Sequence, residues 1–195
     1  MKKEIAFFDF DGTLINKDSF FLFGRYKKGN FKFLASIFIH FFQILLSFVG
    51  LKSKSKTKEH LFKSLYSNLD YEDFKTSCKE FSREIEKYTR KEIMEKAQNF
   101  QQNHIPTVIV SASPKDWIEP WAIKNGFTKV IATELEIKED NKLSGRFSTP
   151  NCKGIEKVKR IKKEFPDLDE YYIYAYGDSR DDFPMLDIAD FSSLV

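Results

Sequence analysis

Ile5-Ala6-Phe7-Phe8-Asp9-Phe10-Asp11-Gly12-Thr13-Leu14 is the stretch on which the fold turns. Its first four residues form a short apolar run, which reads as a buried strand. The Asp-Phe-Asp-Gly-Thr that follows reads as the turn leaving it. Asp9 and Asp11 place two carboxylates on that turn. Such groups repel each other, and a divalent cation makes their proximity tolerable. One can act as a nucleophile while the other handles a leaving-group proton. Taken alone, a pair of turn aspartates is more often a cap or turn feature.

Further along, the same punctuation recurs. Residues 107–110 read as a strand, and Ser111-Ala112-Ser113-Pro114 opens a helix with proline where a first turn tolerates it. Residues 130–132 read as a third strand and 134–147 as a hairpin with a charged tip at 138–142. A helix follows over 154–165. Residues 171–176 form another strand ahead of the turn Gly177-Asp178-Ser179, and 191–195 form a short apolar end. Alternating strands and helices predict an α/β fold, a parallel sheet with helices on both faces. Ligands bind such sheets beyond the carboxyl ends of the strands. Asp9, Ser111 and Asp178 each follow a strand, so one crevice should receive all three. Residues 15–88 break the pattern and read as helices only, over about 18–29, 31–51, 57–68 and 71–88. They are expected to form an all-helical cap inserted into a core of residues 1–14 and 89–195.

Four segments in this order resemble the haloacid dehalogenase superfamily of phosphatases: residues 9–14, Ser111-Ala112-Ser113, Lys153, and residues 177–182. The resemblance implies a Rossmann-like core and an aspartyl-phosphate on Asp9, with Asp11 as general acid and base. Acid at the latter position is the phosphatase pattern. It implies Thr13, Ser111, Ala112 and Lys153 as phosphate ligands. Asp9, Asp11 (through its carbonyl) and Asp178 become Mg2+ ligands, with Asp182 orienting metal-bound water or Lys153. Asp182 is preferred over Asp181 because the family's second acid lies four residues after the first. Arg180 could face substrate or solvent. By residue type alone, Ser111 could cap a helix and Lys153 could be one exposed lysine among Lys157, Lys159, Lys162 and Lys163.

The cap's place in the chain resembles the phosphoserine-phosphatase branch. Asp18 lies near where that branch binds a substrate amino group, yet it also suits the N-cap of the first cap helix. Ala112 stands where that branch has glycine. Residues 31–51 are mostly apolar with a polar stripe, Lys32, Ser36, His40, Gln43, Ser47 and Gly50, at helical spacing. Lysines flank this segment on both sides. That pattern suits either packing within the cap or contact with an anionic membrane surface, and it resembles phosphatidylglycerophosphate phosphatases of the same superfamily. The expected substrate is therefore a phosphorylated small molecule or a phospholipid headgroup. A phosphotransferase or a non-catalytic phosphate or lipid binder are the alternatives.

Composition narrows the class. The 195 residues are 42% hydrophobic and 31% charged, which suits a catalytic domain with a modest insertion. Residues 1–68 carry 12 Lys/Arg against 5 Asp/Glu, and the remainder 20 against 24. The basic first third fits an anionic partner or a solvated lysine face. No nucleic-acid motif accompanies the lysines. Cys78 and Cys152 are expected as reduced thiols, and the N-terminal run is too short for a signal peptide, so the expected location is cytoplasmic, with or without membrane association.

Overall fold

The computed structural model describes residues 2–39 and 54–195. Five strands, β1 (Lys3–Phe8), β2 (Thr107–Pro114), β3 (Lys129–Thr133), β6 (Tyr171–Gly177) and β7 (Phe191–Leu194), form a parallel sheet in the order β3-β2-β1-β6-β7. The chain leaves β1 toward β2 on one side and returns through β6 on the other. The carboxyl ends of β1 and β6 therefore flank the point where strand order reverses, the place such sheets reserve for ligands.

Strand alternation divides the core. Ala6 and Phe8 join one apolar cluster, and Ile5 and Phe7 join another on the opposite face. On the first face Phe8 stacks on Tyr176 at 4.8 Å, and Trp117 stacks on Phe23 at 4.8 Å. The second face is covered by α7 (Ile155–Glu164) and α8 (Phe183–Asp187). Both faces are thus sealed, as a parallel sheet requires.

The segment expected as a cap is helical where described: α1 (Ser19–Lys28), α2 (Asn30–Ile39), α3 (Lys54–Tyr66) and α4 (Tyr71–Ile85), the last followed by a 3-10 turn at Glu86–Tyr88. Residues 40–51 of the expected 31–51 helix, with His40, lie outside the described residues. Among the described residues, no helix is long and apolar enough to cross a membrane. The aromatic cluster runs without interruption from Phe23, Phe62 and Phe74 of these helices into Trp117 and Trp121 of α6 (Lys115–Lys124). The hairpin of β4 (Leu135–Ile137) and β5 (Leu143–Phe147) packs against α3. Gly145 permits that approach: a Cβ there would lie 2.8 Å from the Lys63 Cα, and its φ of +84° suits glycine.

A helix unanticipated from the sequence, α5 (Lys91–Gln102), precedes β2. The two linkers into the helical segment meet beside it. Arg90 donates its amide to the Leu14 carbonyl at 2.9 Å, and Asn16 donates to the Tyr88 carbonyl at 2.9 Å. The Arg90 guanidinium reaches the Gly12 carbonyl at 2.5 Å.

Candidate active site

A cavity of about 300 Å³ opens beyond β1, β2 and β6, lined in part by Asp9, Asp11, Ser111, Ala112, Lys157 and Asp178. Asp9 begins where β1 ends, and its amide still donates to Tyr176 of β6 at 2.9 Å. The strand ladder thus fixes its backbone, while its side chain turns into the crevice.

The Asp9 carboxylate accepts from Lys157 Nζ at 2.6 Å and from the Thr13 hydroxyl at 3.2 Å. Lys157 Nζ also donates to Asp182 Oδ1 at 2.6 Å and to the Val110 carbonyl at 2.7 Å. Three acceptors match the three protons of an ammonium group. Burial alone would depress this lysine, but Asp9 and Asp182 outweigh it and hold its pKa above the ordinary range.

The sequence reading put Lys153 at this position, and the geometry corrects it. Lys153 is half-buried at the rim and pairs with Asp181 at 3.3 Å. Gly154 turns the chain into α7 with φ +56°, so Lys153 precedes the helix. Lys157, Val158 and Ile161 form its buried face. A lysine in phase with Val158 and Ile161 was the signal available in the sequence.

Asp182 is buried and fully engaged. Its Oδ2 accepts from the amides of Asp178 at 3.2 Å and Ser179 at 3.0 Å, and from the Ser179 hydroxyl at 2.9 Å. Burial opposes its ionisation, yet Lys157 and these donors hold its pKa below the usual aspartate value. Gly177 makes room for it, since a Cβ there would lie 2.5 Å from the Asp182 Cβ.

Asp11 lies across the cavity. Its carboxylate accepts from the Ser19 amide, the first residue of α1, at 2.7 Å and from the Ser113 hydroxyl at 2.5 Å. Burial and then the Asp18 charge push its pKa up to about 6, against the pull of Lys58. Ser111 is buried within β2, which continues through Pro114 rather than giving way to a helix at Ser111 as the sequence suggested, and the register with β3 shifts between Ser111 and Pro114. Its hydroxyl accepts the Ser113 amide at 3.1 Å. Asp18 caps α1, accepting from the Phe20 amide at 2.8 Å, and it also lines the cavity. Sequence reasoning passed over Lys58 and Ser113. Lys58 Nζ sits 3.4 Å from the Ser113 hydroxyl.

Carboxylate oxygens of Asp9, Asp178 and Asp182 lie within 4.8 Å of one another. Burial and the neighbouring carboxylates push Asp178 up to about 6, and burial pushes Asp9 to about 6 despite Lys157. Gly12 allows this crowding: a Cβ there would lie 2.1 Å from Asp178 Oδ2. Crowded, hard oxygen donors fit a small divalent cation, which would relieve their repulsion. Asp182 is saturated by donors, whereas Asp9 accepts one donor on each oxygen, so Asp9 and Asp178 are the carboxylates with lone pairs left for such an ion.

A family model described as haloacid dehalogenase-like hydrolase matches residues 6–187. Protein CicA of Caulobacter vibrioides (strain NA1000 / CB15N) is 28% identical over 185 residues, 94% of this chain and 82% of that protein. A structure from Bordetella pertussis Tohama I, of unknown function, superposes with a TM-score of 0.84 at 19% identity, covering 98% of this chain and 89% of the other. A phosphoserine phosphatase solved as a phospho-aspartyl intermediate analogue gives a TM-score of 0.69 at 20% identity, covering 98% and 86%. At these identities the two structures establish a shared fold.

Proposed function

Because the chain belongs to the haloacid dehalogenase-like hydrolases, we propose that it is a Mg2+-dependent phosphomonoesterase carrying the phosphoryl group on Asp9. The observation that carries this reading is the Lys157 ammonium wedged between Asp9 and Asp182, both at 2.6 Å. A lysine so placed holds Asp9 in one orientation and offers positive charge where a phosphate must sit. The fold shared with a phosphoserine phosphatase studied as its phospho-aspartyl analogue points the same way.

The roles follow from position. Ser111 and the Ala112 amide would grip phosphoryl oxygens, with the Thr13 hydroxyl steadying the Asp9 oxygen it already meets. An Asp9 carboxylate oxygen attacks phosphorus, and the bond from phosphorus to the ester oxygen breaks. The Asp11 carboxyl gives its proton to that leaving oxygen. Asp11, now ionised, then takes a proton from the water that attacks phosphorus, which frees Asp9 and inorganic phosphate. Asp9, Asp178 and the Asp11 carbonyl would hold Mg2+, which when bound offsets the charge of the transferring group. Asp182 keeps Lys157 and the backbone at residues 178–179 in place.

A cavity of about 300 Å³ suits a phosphate on a small organic group. Its lining includes both cations, Lys58 and Lys153, and acids, Asp18 and Asp181, so a substrate bearing further charge of either sign would find a partner. A phosphoamino acid and a phospholipid headgroup both meet that description. Purified protein should be assayed for phosphate release from phosphoamino acids, sugar phosphates, nucleotides and phospholipids, with Mg2+ and with chelator. Mg2+-dependent release from at least one class is expected. Turnover unaffected by exhaustive chelation, or none from any class, would reject the reading.

A further inference from the structure

We propose that the α1–α2 hairpin is a docking surface for an anionic lipid bilayer. Among the described residues, the two most exposed large apolar side chains, Phe31 at 86% and Phe38 at 78%, both lie on α2, with Leu34 at 60% between them. Their spacing of three and four residues puts them on one helical stripe. Phe21 of α1, 42% exposed, adds to the apolar surface of the hairpin. Water contact at that many large side chains is costly and marks an interaction surface.

The hairpin is built to hold this stripe outward. Gly29, with φ +75°, ends α1 and lets α2 fold back. Phe33 is buried and packs against Gly24, where a Cβ would lie 2.2 Å from its ring, and its ring meets that of Phe21 at 6.1 Å. With Phe33 anchored inward, residues 31, 34 and 38 cannot also turn to the core.

Charge selects the partner. Residues 19–58 contain eight Lys/Arg and no Asp or Glu. On the hairpin itself these are Arg25, Lys27, Lys28 and Lys32. Arg25 and Lys32 are exposed, and burial together with the adjacent Lys27 and Lys32 charges depresses Lys28. Acids face the hairpin at its start, where Asp18 caps α1, and from α4, where Glu80 accepts from the Tyr26 hydroxyl at 3.1 Å. Exposed aromatic and leucine side chains among clustered cations complement a negatively charged interface, where rings and acyl chains mix and basic residues meet headgroups. A protein partner would need a matching acidic and apolar groove, whereas a bilayer offers both properties without shape. The hairpin also starts at the site, since the Ser19 amide bonds Asp11. Docking does not depend on the chemistry assigned to Asp9.

Flotation of the full chain tests the proposal, using phosphatidylcholine vesicles with and without phosphatidylglycerol. The protein should float only with the anionic vesicles, and added salt should reduce the bound fraction. Combined Phe31→Ser, Leu34→Ser and Phe38→Ser should weaken binding about tenfold or more. Arg25→Gln with Lys28→Gln should weaken it and lessen its salt dependence. Unchanged melting and unchanged hydrolysis of a soluble phosphoester would show that these variants fold. The proposal fails if the wild type does not float, binds neutral vesicles equally well, or is matched by the triple serine variant. It also fails if the triple variant instead abolishes a concentration-dependent dimer in a protein that never floats. Flotation without any phosphatase activity would count against the phosphatase reading alone.

Discussion

Lys157 separates a structural expectation from a chemical one. Its removal leaves two buried carboxylates facing each other, so Lys157→Met should cost about 3–5 kcal/mol at neutral pH. Activity should fall about a thousandfold or more. Lys153→Ala, at the rim, should change kcat by less than about threefold. Steady-state kinetics and denaturant titration of both variants check this contrast. The order of motifs made Asp9, Asp11, Ser111 and Asp178 legible: Asp9 and Asp178 directly follow β1 and β6, Asp11 lies on the turn after β1, and Ser111 closes the apolar run of β2, although that strand continues to Pro114. Lys157 was missed because helix phase decides it, and phase depends on where Gly154 starts α7. The linkage around Asp182 has a definite sign. Its folded pKa is depressed, so it contributes stability above the unfolded value of about 4 and loses it as pH falls through the folded value. Asp116 has the opposite sense: burial raises it, although it accepts from the Tyr71 hydroxyl at 2.8 Å. The folded state therefore binds its proton more tightly, and stability declines as pH rises past the unfolded value toward the folded one. Asp116→Asn should keep the Tyr71 contact and be more stable relative to wild type at neutral pH than in acid. Thermal melts across pH would expose either error in sign.

Among the elements, the α1–α2 hairpin inverts an ordinary rule. Glycine to alanine within a helix normally adds about 1 kcal/mol. At Gly24 the new Cβ would meet the Phe33 ring at 2.2 Å, so Gly24→Ala should instead cost about 1–3 kcal/mol through displacement of α2. Equilibrium unfolding decides between the two signs. The linkers at residues 14–16 and 88–90 give a second expectation. Arg90 joins them through its amide and holds the Gly12 carbonyl through its guanidinium, so it ties the helical segment to the turn carrying Asp11. Arg90→Ala should lower kcat about ten- to a hundredfold with little change in KM, because orientation rather than binding is lost. The strands were legible because short apolar runs between turn signals admit few other readings. α5 was not: of its 12 residues only Ile93, Met94 and Ala97 are buried, too sparse a stripe to stand out among charged neighbours. The helix starting at Lys54 likewise precedes its first apolar residue by several positions, so pattern placed its start late.

At the scale of the molecule, one aromatic cluster joins the helices of residues 19–85 to the sheet, and the site lies where they meet. The sheet delivers Asp9, Ser111 and Asp178 from strand ends, the helix after Gly154 delivers Lys157, and α1 and α3 deliver Asp18 and Lys58 from above. Sequence order revealed the first set because strand ends are punctuated. Of the second, Asp18 was legible as a cap or substrate residue and Lys157 only through the phase of its helix, while the approach of Lys58 to the site arises only when distant elements pack. The account stands or falls on covalent transfer to Asp9. Protein mixed with a turned-over phosphoester and Mg2+, quenched in acid and analysed by peptide mass spectrometry, should carry one phosphoryl group on Asp9, and Asp9→Asn should carry none and hydrolyse about 10^4-fold more slowly or worse. Label on another residue, or brisk hydrolysis by Asp9→Asn, would contradict it.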